Sequence, residues 1–384
     1  MLAYHPYWLE ASAIIHAARR WWKDGLISTE QFGIINAAFT NPLYTPPLYE
    51  RTALFLFTSL CIAGLYLFAR HALTGIGAMV LVGIFCIASL EVVVRYARMF
   101  RAGIDDALLY GGLACVLGGV WSYSHDNAST MSAFLPFIVG VPVLAFAAMR
   151  YVDRISAAGS LLAFVGLAFW FCRNAMPIAE EAAPLVLIMA ASAGYFLYRA
   201  LNGIERLATW KSSVAAVGVT SLLLIYGGGN YFFVERFVAP SVRADLHPTF
   251  TLDMSGFYYA WTLGLPICYI VLGLARRDRM MLRVGLIAEG ASLGTMRYYV
   301  NTIALEHSLI IIGAALIMIT TVVIQVLKTD RRGFTDRKTP HLLPETVPGN
   351  AVVLFDRLTA QQEAVRAFES GETQFRGGGA SLGW

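Results

Sequence analysis

The sequence predicts an all-α fold: a polytopic transmembrane helix bundle of about ten spans, with a short N-terminal helical hairpin and a flexible C-terminal tail. Three observations carry this expectation. First, 57% of the 384 residues are hydrophobic and only 14% are charged, against about 25% charged in a soluble domain. Such a chain cannot cover its surface with polar groups in water and needs lipid as part of its solvent. Second, apolar stretches of membrane length recur along it. Third, lysine and arginine alternate between successive loops. The net charge of +4 is modest, and in a membrane chain its distribution says more than its sum, so no nucleic-acid partner is expected.

Residues 1–50 read as a cytoplasmic or interfacial helical segment ending in a proline-rich linker. Ala11, Ile14, Ile15, Ala18 and Trp22 recur at helical spacing, with charged and polar residues elsewhere on the wheel. A break follows at Asp24-Gly25. Ser28 then stands three residues before Gln31, the spacing of a capping box, and a second helix carries Phe32, Ile35 and Phe39. The pair either lies on the membrane surface, with Trp21 and Trp22 at the interface, or packs on itself. The prolines at 42, 46 and 47 forbid a regular helix in the linker. The N-terminus lacks a basic stretch followed by an apolar one, so no cleavable signal is expected and the first span serves as the insertion signal.

The transmembrane domain is expected over 51–327. Its ten apolar stretches are 52–69, 73–90, 107–123, 132–149, 156–172, 182–198, 213–233, 256–274, 281–300 and 307–327. The first two are divided only by Arg70-His71-Ala72, and the ninth has charges inside it. With the N-terminus in the cytoplasm, loops on that side hold most of the 29 basic residues; Arg70, Arg173, Arg236, Arg243 and Arg297 fall elsewhere. That asymmetry places both termini in the cytoplasm. Segment 234–255 is the one sizeable external loop. Residues 328–384 read as a flexible cytoplasmic tail with a basic collar and a glycine-rich end. A faint internal echo links Tyr151-Val152-Asp153-Arg154, after the fourth span, with Arg276-Arg277-Asp278-Arg279, after the eighth. Two four-span halves in parallel orientation would produce it, and so would chance.

The candidate functional residues are ionisable or helix-breaking groups inside the spans. Glu289 is the deepest carboxyl, and intramembrane carboxyls are functional hypotheses by default. Gly290 and Gly294 beside it have the spacing that admits a neighbouring helix, and Arg297 follows two turns on. Glu289 reads either as a protonatable or cation-binding site, or as a neutral hydrogen-bonded acid that ties two helices together. Gly227-Gly228-Gly229-Asn230 interrupts the seventh span. This run with Tyr231 reads as cavity lining, or as an outer helix end. Pro136, Pro142, Pro184 and Pro266 stand where they can kink spans four, six and eight. Asp105 and Asp106, near Arg95, Arg98 and Arg101, read as an interfacial ion network; two adjacent aspartates are too few for a metal site.

No H-E-x-x-H or G-x-x-x-x-G-K-[ST] motif occurs, and the seven histidines all fall at span ends, in loops or in the tails. No catalytic residue, metal site or cofactor is therefore assigned, and an enzyme is unsupported. The five cysteines have no C-x-x-C spacing and read as small buried hydrophobes.

Trp22-Lys23-Asp24-Gly25-Leu26-Ile27-Ser28-Thr29-Glu30-Gln31 resembles the W-x-x-G-L-I-[ST]-x-x-Q lead of a bacterial family of polytopic membrane proteins of unknown function. The resemblance covers the first 50 residues in motif and the rest only in layout. It implies an inner-membrane location and carries over no functional residue. Two function classes stay open. One is a transporter of a small solute or ion that uses Glu289. The other is a membrane scaffold or sensor whose cytoplasmic tails bind a protein partner. The lipid bilayer is a partner in both.

Overall fold

The computed structural model describes residues 2–39, 43–73, 75–127, 130–175, 183–238 and 255–299, with residues 313 and 321. Among them it is helical and has no strand; a single parallel bridge joins Tyr44 to Met99. The chain divides into two compact units, one spanning His5–Leu43 and the other containing the long helices.

The first unit is a helical hairpin, α1 (Pro6–Lys23) and α2 (Thr29–Ala38). Pro6 stands in the first turn of α1, where its missing N–H costs nothing. The capping box forms as the sequence predicts: Gln31 N donates to Ser28 Oγ at 3.1 Å, and Ser28 N donates to Gln31 Oε1 at 2.9 Å. The hairpin core contains Ile14, Ala17, Ala18, Trp21, Ile27 and Ile35. Trp21 rather than Trp22 enters it. Trp22 instead lies half out, stacked on Phe32 at 5.5 Å, with its indole N–H given to Thr29.

The second unit contains α3 (Leu48–Ala72), α4 (Gly75–Val92), α5 (Ile104–Asp126), α6 (Thr130–Tyr151), α7 (Arg154–Ala175), α8 (Ala183–Asn202), α9 (Lys211–Gly229), α10 (Tyr231–Phe233), α11 (Ser255–Ala275) and α12 (Arg279–Tyr299). Among the described residues, eight helices are long and apolar enough to cross a membrane. They match the first eight expected spans, including the closely spaced first pair. The ninth expected span is a continuous 21-residue helix, α12, but Arg279, Arg283, Glu289 and Arg297 make it too charged to stand with the other eight. The tenth, 307–327, and the tail 328–384 lie outside the described residues except for positions 313 and 321; most of the external loop 234–255 does too.

Successive helices pair as antiparallel hairpins, α4 with α5, α6 with α7, α8 with α9 and α11 with α12. In the second half, α9 is central: it packs against α7, α8, α11 and α12. Small residues set the closest approaches. A Cβ at Gly285 would stand 3.0 Å from the backbone of Ile270, and one at Gly273 would stand 2.8 Å from Leu282 N. The α11–α12 crossing therefore depends on these two glycines. Pro136, Pro142 and Pro266 lie inside helices, and Pro184 stands in the first described turn of α8.

Candidate functional site

The sequence-predicted site gathers where α9 ends. Helical geometry persists through Gly227, Gly228 and Gly229, and the break falls one residue later, at Asn230, whose backbone is extended (φ −70°, ψ 126°). The glycines hold the helix because they make room for neighbours instead of lining an open cavity. A Cβ at Gly229 would lie 2.3 Å from the Trp261 ring, and one at Gly228 would lie 3.1 Å from Ile188; Gly227 has no neighbour within 4 Å. Trp261 is held there by its indole N–H, which donates to Ile225 O at 3.2 Å.

Asn230 is buried, 5% exposed, and its amide uses both ends. Its Oδ1 accepts from Phe233 N at 3.1 Å and so caps the helix that restarts at Tyr231. Its Nδ2 donates to Tyr226 Oη at 2.8 Å and to Thr295 Oγ1 at 3.2 Å. The Tyr226 and Ser292 hydroxyls lie 3.0 Å apart, and Ser292 Oγ reaches the carbonyls of Thr262 and Ala288. Tyr231 N donates to Thr262 Oγ1 at 2.9 Å, and Thr262 Oγ1 in turn donates to Tyr258 O at 2.7 Å. One directed chain satisfies these groups: Asn230 amide to Tyr226 hydroxyl, to Ser292 hydroxyl, to a helix carbonyl. It crosses from α9 to α12 and α11, and it supplies the polar partners that a broken helix needs in a membrane.

Glu289 lies on α12 one turn before Ser292. Its carboxyl is half-buried, within electrostatic reach of the Tyr226 hydroxyl. Its Oε2 is buried and has no hydrogen-bond partner among the described residues. The buried stripe of α12 is Met281, Val284, Gly285, Ala288, Ser292 and Thr295, so Glu289 stands at the edge of that stripe. Gly290 and Gly294 fall on the opposite, exposed side, with no described atom within 4 Å of a Cβ at either. The close approach expected at this pair is made by Gly285 instead, because the stripe that faces α11 runs through 281, 285, 288 and 292. Arg297 is half-buried in the last turn of α12. Tyr231 stacks on Tyr259 at 4.2 Å and meets Tyr299 edge-on at 4.8 Å, and the Tyr299 hydroxyl donates to Glu235.

The sequence reading missed Tyr226, Thr262, Ser292 and Thr295. Each is a lone hydroxyl in an apolar run. Their one signal is the spacing of three that sets Glu289, Ser292 and Thr295 in neighbouring turns of one helix.

A second polar constellation occupies the arginine-rich face, at the ends of α4, α5 and α6. Glu91 forms a two-pronged pair with Arg150, both bonds 2.7 Å, and accepts the Tyr151 hydroxyl at 2.6 Å. Asp106 pairs with Arg51 at 2.7 Å, not with the expected Arg95, Arg98 or Arg101. Asp105, 5% exposed, turns back onto its own loop and accepts from the backbone N–H of Arg101, Ala102 and Gly103. Asp153 accepts the Tyr110 hydroxyl and caps α7 through Ser156 N. Loop 98–103 is tightly constrained: Arg98, Arg101 and Gly103 have φ of 49°, 51° and 96°, and a Cβ at Gly103 would strike Arg51 O at 2.2 Å.

No family model, curated protein or solved structure matches the chain.

Proposed function

We propose that the chain is a transporter of a small solute or ion in a bacterial inner membrane, with its arginine-rich face toward the cytoplasm and Glu289 as the protonatable coupling group. The observation that supports this most is the buried Glu289 Oε2, without a hydrogen-bond partner among the described residues, beside the helix break at Asn230. A carboxylate oxygen without a partner in a low-dielectric site favours either a proton or a bound cation. A discontinuous helix at the packing centre of a bundle is the form in which transporters present backbone groups to a substrate. Tyr226 and Ser292 would extend the exchangeable-proton path from the carboxyl to the break. The scaffold alternative rests on the C-terminal tail, which lies outside the described residues, and on the N-terminal hairpin.

The test is flux. The purified full chain in proteoliposomes is screened for solute and proton movement under an imposed proton gradient, beside Glu289→Gln. The reading requires flux above empty vesicles and loss of proton coupling in the variant while helical content is retained. A wild-type protein that moves neither protons nor solutes, and whose tail deletion alone removes its cellular function, would move the assignment to the scaffold.

A further inference from the structure

The turn between α11 and α12 concentrates charge that the transport reading does not use. Arg276, Arg277, Arg279 and Arg283 stand close together in the chain, with Asp278 as the one acid among them. Asp278 is already committed. Its Oδ1 accepts from the backbone N–H groups of Met280 and Met281 and so caps α12. On other helix ends, Arg51 pairs with Asp106, and Arg95 and Arg150 pair with Glu91. Arg276 and Arg283 form no ion pair among the described residues.

The arginines continue into an exposed apolar side of the hairpin. On α12, Arg279, Arg283, Leu286 and Gly290 follow at helical spacing, so they share one face, and all four are exposed. The face that meets α11 is a different one, through Met281 and Gly285. On α11, Ile267, Val271 and Leu274 also recur at helical spacing and are 53%, 57% and 45% exposed. The close approaches at Gly273 and Gly285 fix which sides of the two helices touch. At about 100° per residue, that sets Ile267, Val271 and Leu274 on the same side of the hairpin as Leu286. The opposite side is covered by α9, where Leu222 and Tyr226 pack with Tyr269, Val284 and Ala288.

We propose that this side of the α11–α12 hairpin binds a phospholipid whose headgroup carries two phosphates, with the phosphates on Arg279 and Arg283 and an acyl chain along Leu286 and Val271. Charge complementarity selects the headgroup. Four arginines less one aspartate leave the segment Arg276–Arg283 at +3, and a single phosphate would leave most of that charge unanswered. The planar guanidinium fork matches phosphate oxygens. Arg279 and Arg283 stand one turn apart, about 6 Å along the helix axis, so each can hold one phosphate. The apolar side beneath them commits the occupant to a lipid: a soluble phosphate gains nothing from Ile267, Val271 or Leu286. The arginines lie at the end of two long helices, the depth at which headgroups sit.

Native mass spectrometry of the full chain released from nanodiscs tests this. The nanodiscs contain diphosphatidylglycerol or phosphatidylglycerol, matched for total phosphate, in a phosphatidylcholine background. The expected result is preferential retention of diphosphatidylglycerol. Replacing Arg279→Gln and Arg283→Gln together should lower its apparent affinity about thirtyfold, and Arg283→Gln alone about fivefold. The single variant leaves the turn around Asp278 intact, so it decides the matter if the pair misfolds. Arg19→Gln with Arg20→Gln removes the same charge from exposed positions on α1 and should leave retention unchanged. Equal retention of the two anionic lipids overturns the proposal. So does a folded Arg283→Gln protein that binds like wild type, or an equal loss in the α1 control, which would reduce the effect to bulk charge.

Discussion

Replacing Asn230 by alanine tests whether this one side chain holds the break between α9 and α10. Alanine removes the cap on Phe233 N and the two amide bonds to Tyr226 and Thr295. The cap is worth about 1 kcal/mol. A neutral hydrogen bond adds about 1 kcal/mol in general, and interhelical ones in membranes average about 0.6 kcal/mol. Tyr226 retains Ser292, and Thr295 retains the carbonyl of Ala291, so neither hydroxyl is orphaned. The sum is about 2–3 kcal/mol for Asn230→Ala and about 1–2 kcal/mol for Asn230→Ser, which keeps a shorter cap. Equilibrium unfolding in mixed micelles, titrated with denaturing detergent and followed by circular dichroism, measures both. Amide exchange at Phe233 should accelerate in the alanine variant. A loss below about 0.5 kcal/mol with unchanged exchange at Phe233 would refute the reasoning and move the cause of the break to the preceding glycines.

The glycines themselves should separate. Gly229→Ala drives a Cβ into the Trp261 ring and should cost about 1–3 kcal/mol, whereas Gly227→Ala, with nothing within 4 Å, should be neutral or stabilising by up to about 1 kcal/mol; unfolding midpoints of the two variants check this. On the arginine-rich face, Asp105→Ala strips the acceptor from three backbone donors at a buried position and should cost about 3 kcal/mol. Asp106→Ala should cost about 1 kcal/mol or less, because the Arg51 side chain it releases is 39% exposed and regains water. Equal losses at the two aspartates in thermal unfolding would contradict the assignment of their partners.

The helices were legible in the sequence because apolar length is a bulk property that one or two misread residues do not disturb. Even the closely spaced first pair is resolved, although Arg70, His71 and Ala72 belong to the last turn of α3 and the break follows them. The capping box was legible because both of its bonds lie within four residues. The site was legible only in part. Glu289 and Asn230 stood out as costly groups in apolar runs, but their partners came from Tyr226 on the preceding turn and from α11 and α12. Which hydroxyls meet depends on the rotation of each helix about its axis. That rotation is set by the close approaches at Gly273 and Gly285, and an apolar helix with little amphipathic contrast does not announce it. Gly290 and Gly294 show the difficulty: their spacing suits a crossing, yet among the described residues α12 turns a different face, the one through Gly285 and Ala288, toward α11. The backbone partners of Asp105 were invisible because loop 98–103 folds back through left-handed residues that no local pattern requires.

The two turns that echo each other in sequence are built alike. Val152 and Arg277 are both left-handed, with φ of 55° and 56°, and each is followed by an aspartate that accepts from the first turn of the next helix. After α11, Asp278 N bonds Gly273 O and Arg277 N bonds Leu274 O, the paired pattern of a Schellman ending. A helix stop and a helix start compressed into consecutive residues explain the likeness without a gene duplication, since this is a short way to reverse one long helix into the next. The two turns should nevertheless respond to glycine with opposite sign. Arg277 is exposed, so the interaction its side chain makes is screened by solvent, and Arg277→Gly chiefly relieves about 1 kcal/mol of left-handed strain, less the entropy of the freer unfolded chain. Val152 is 5% exposed, so Val152→Gly forfeits about 1.5–3 kcal/mol of buried apolar surface against the same relief. The expected outcome is a small rise in unfolding midpoint for the first and a fall for the second. A fall in both would mean that the Arg277 side chain contributes more to its turn than its exposure allows, and a rise in both would mean that Val152 is held in its conformation at a cost its packing does not offset.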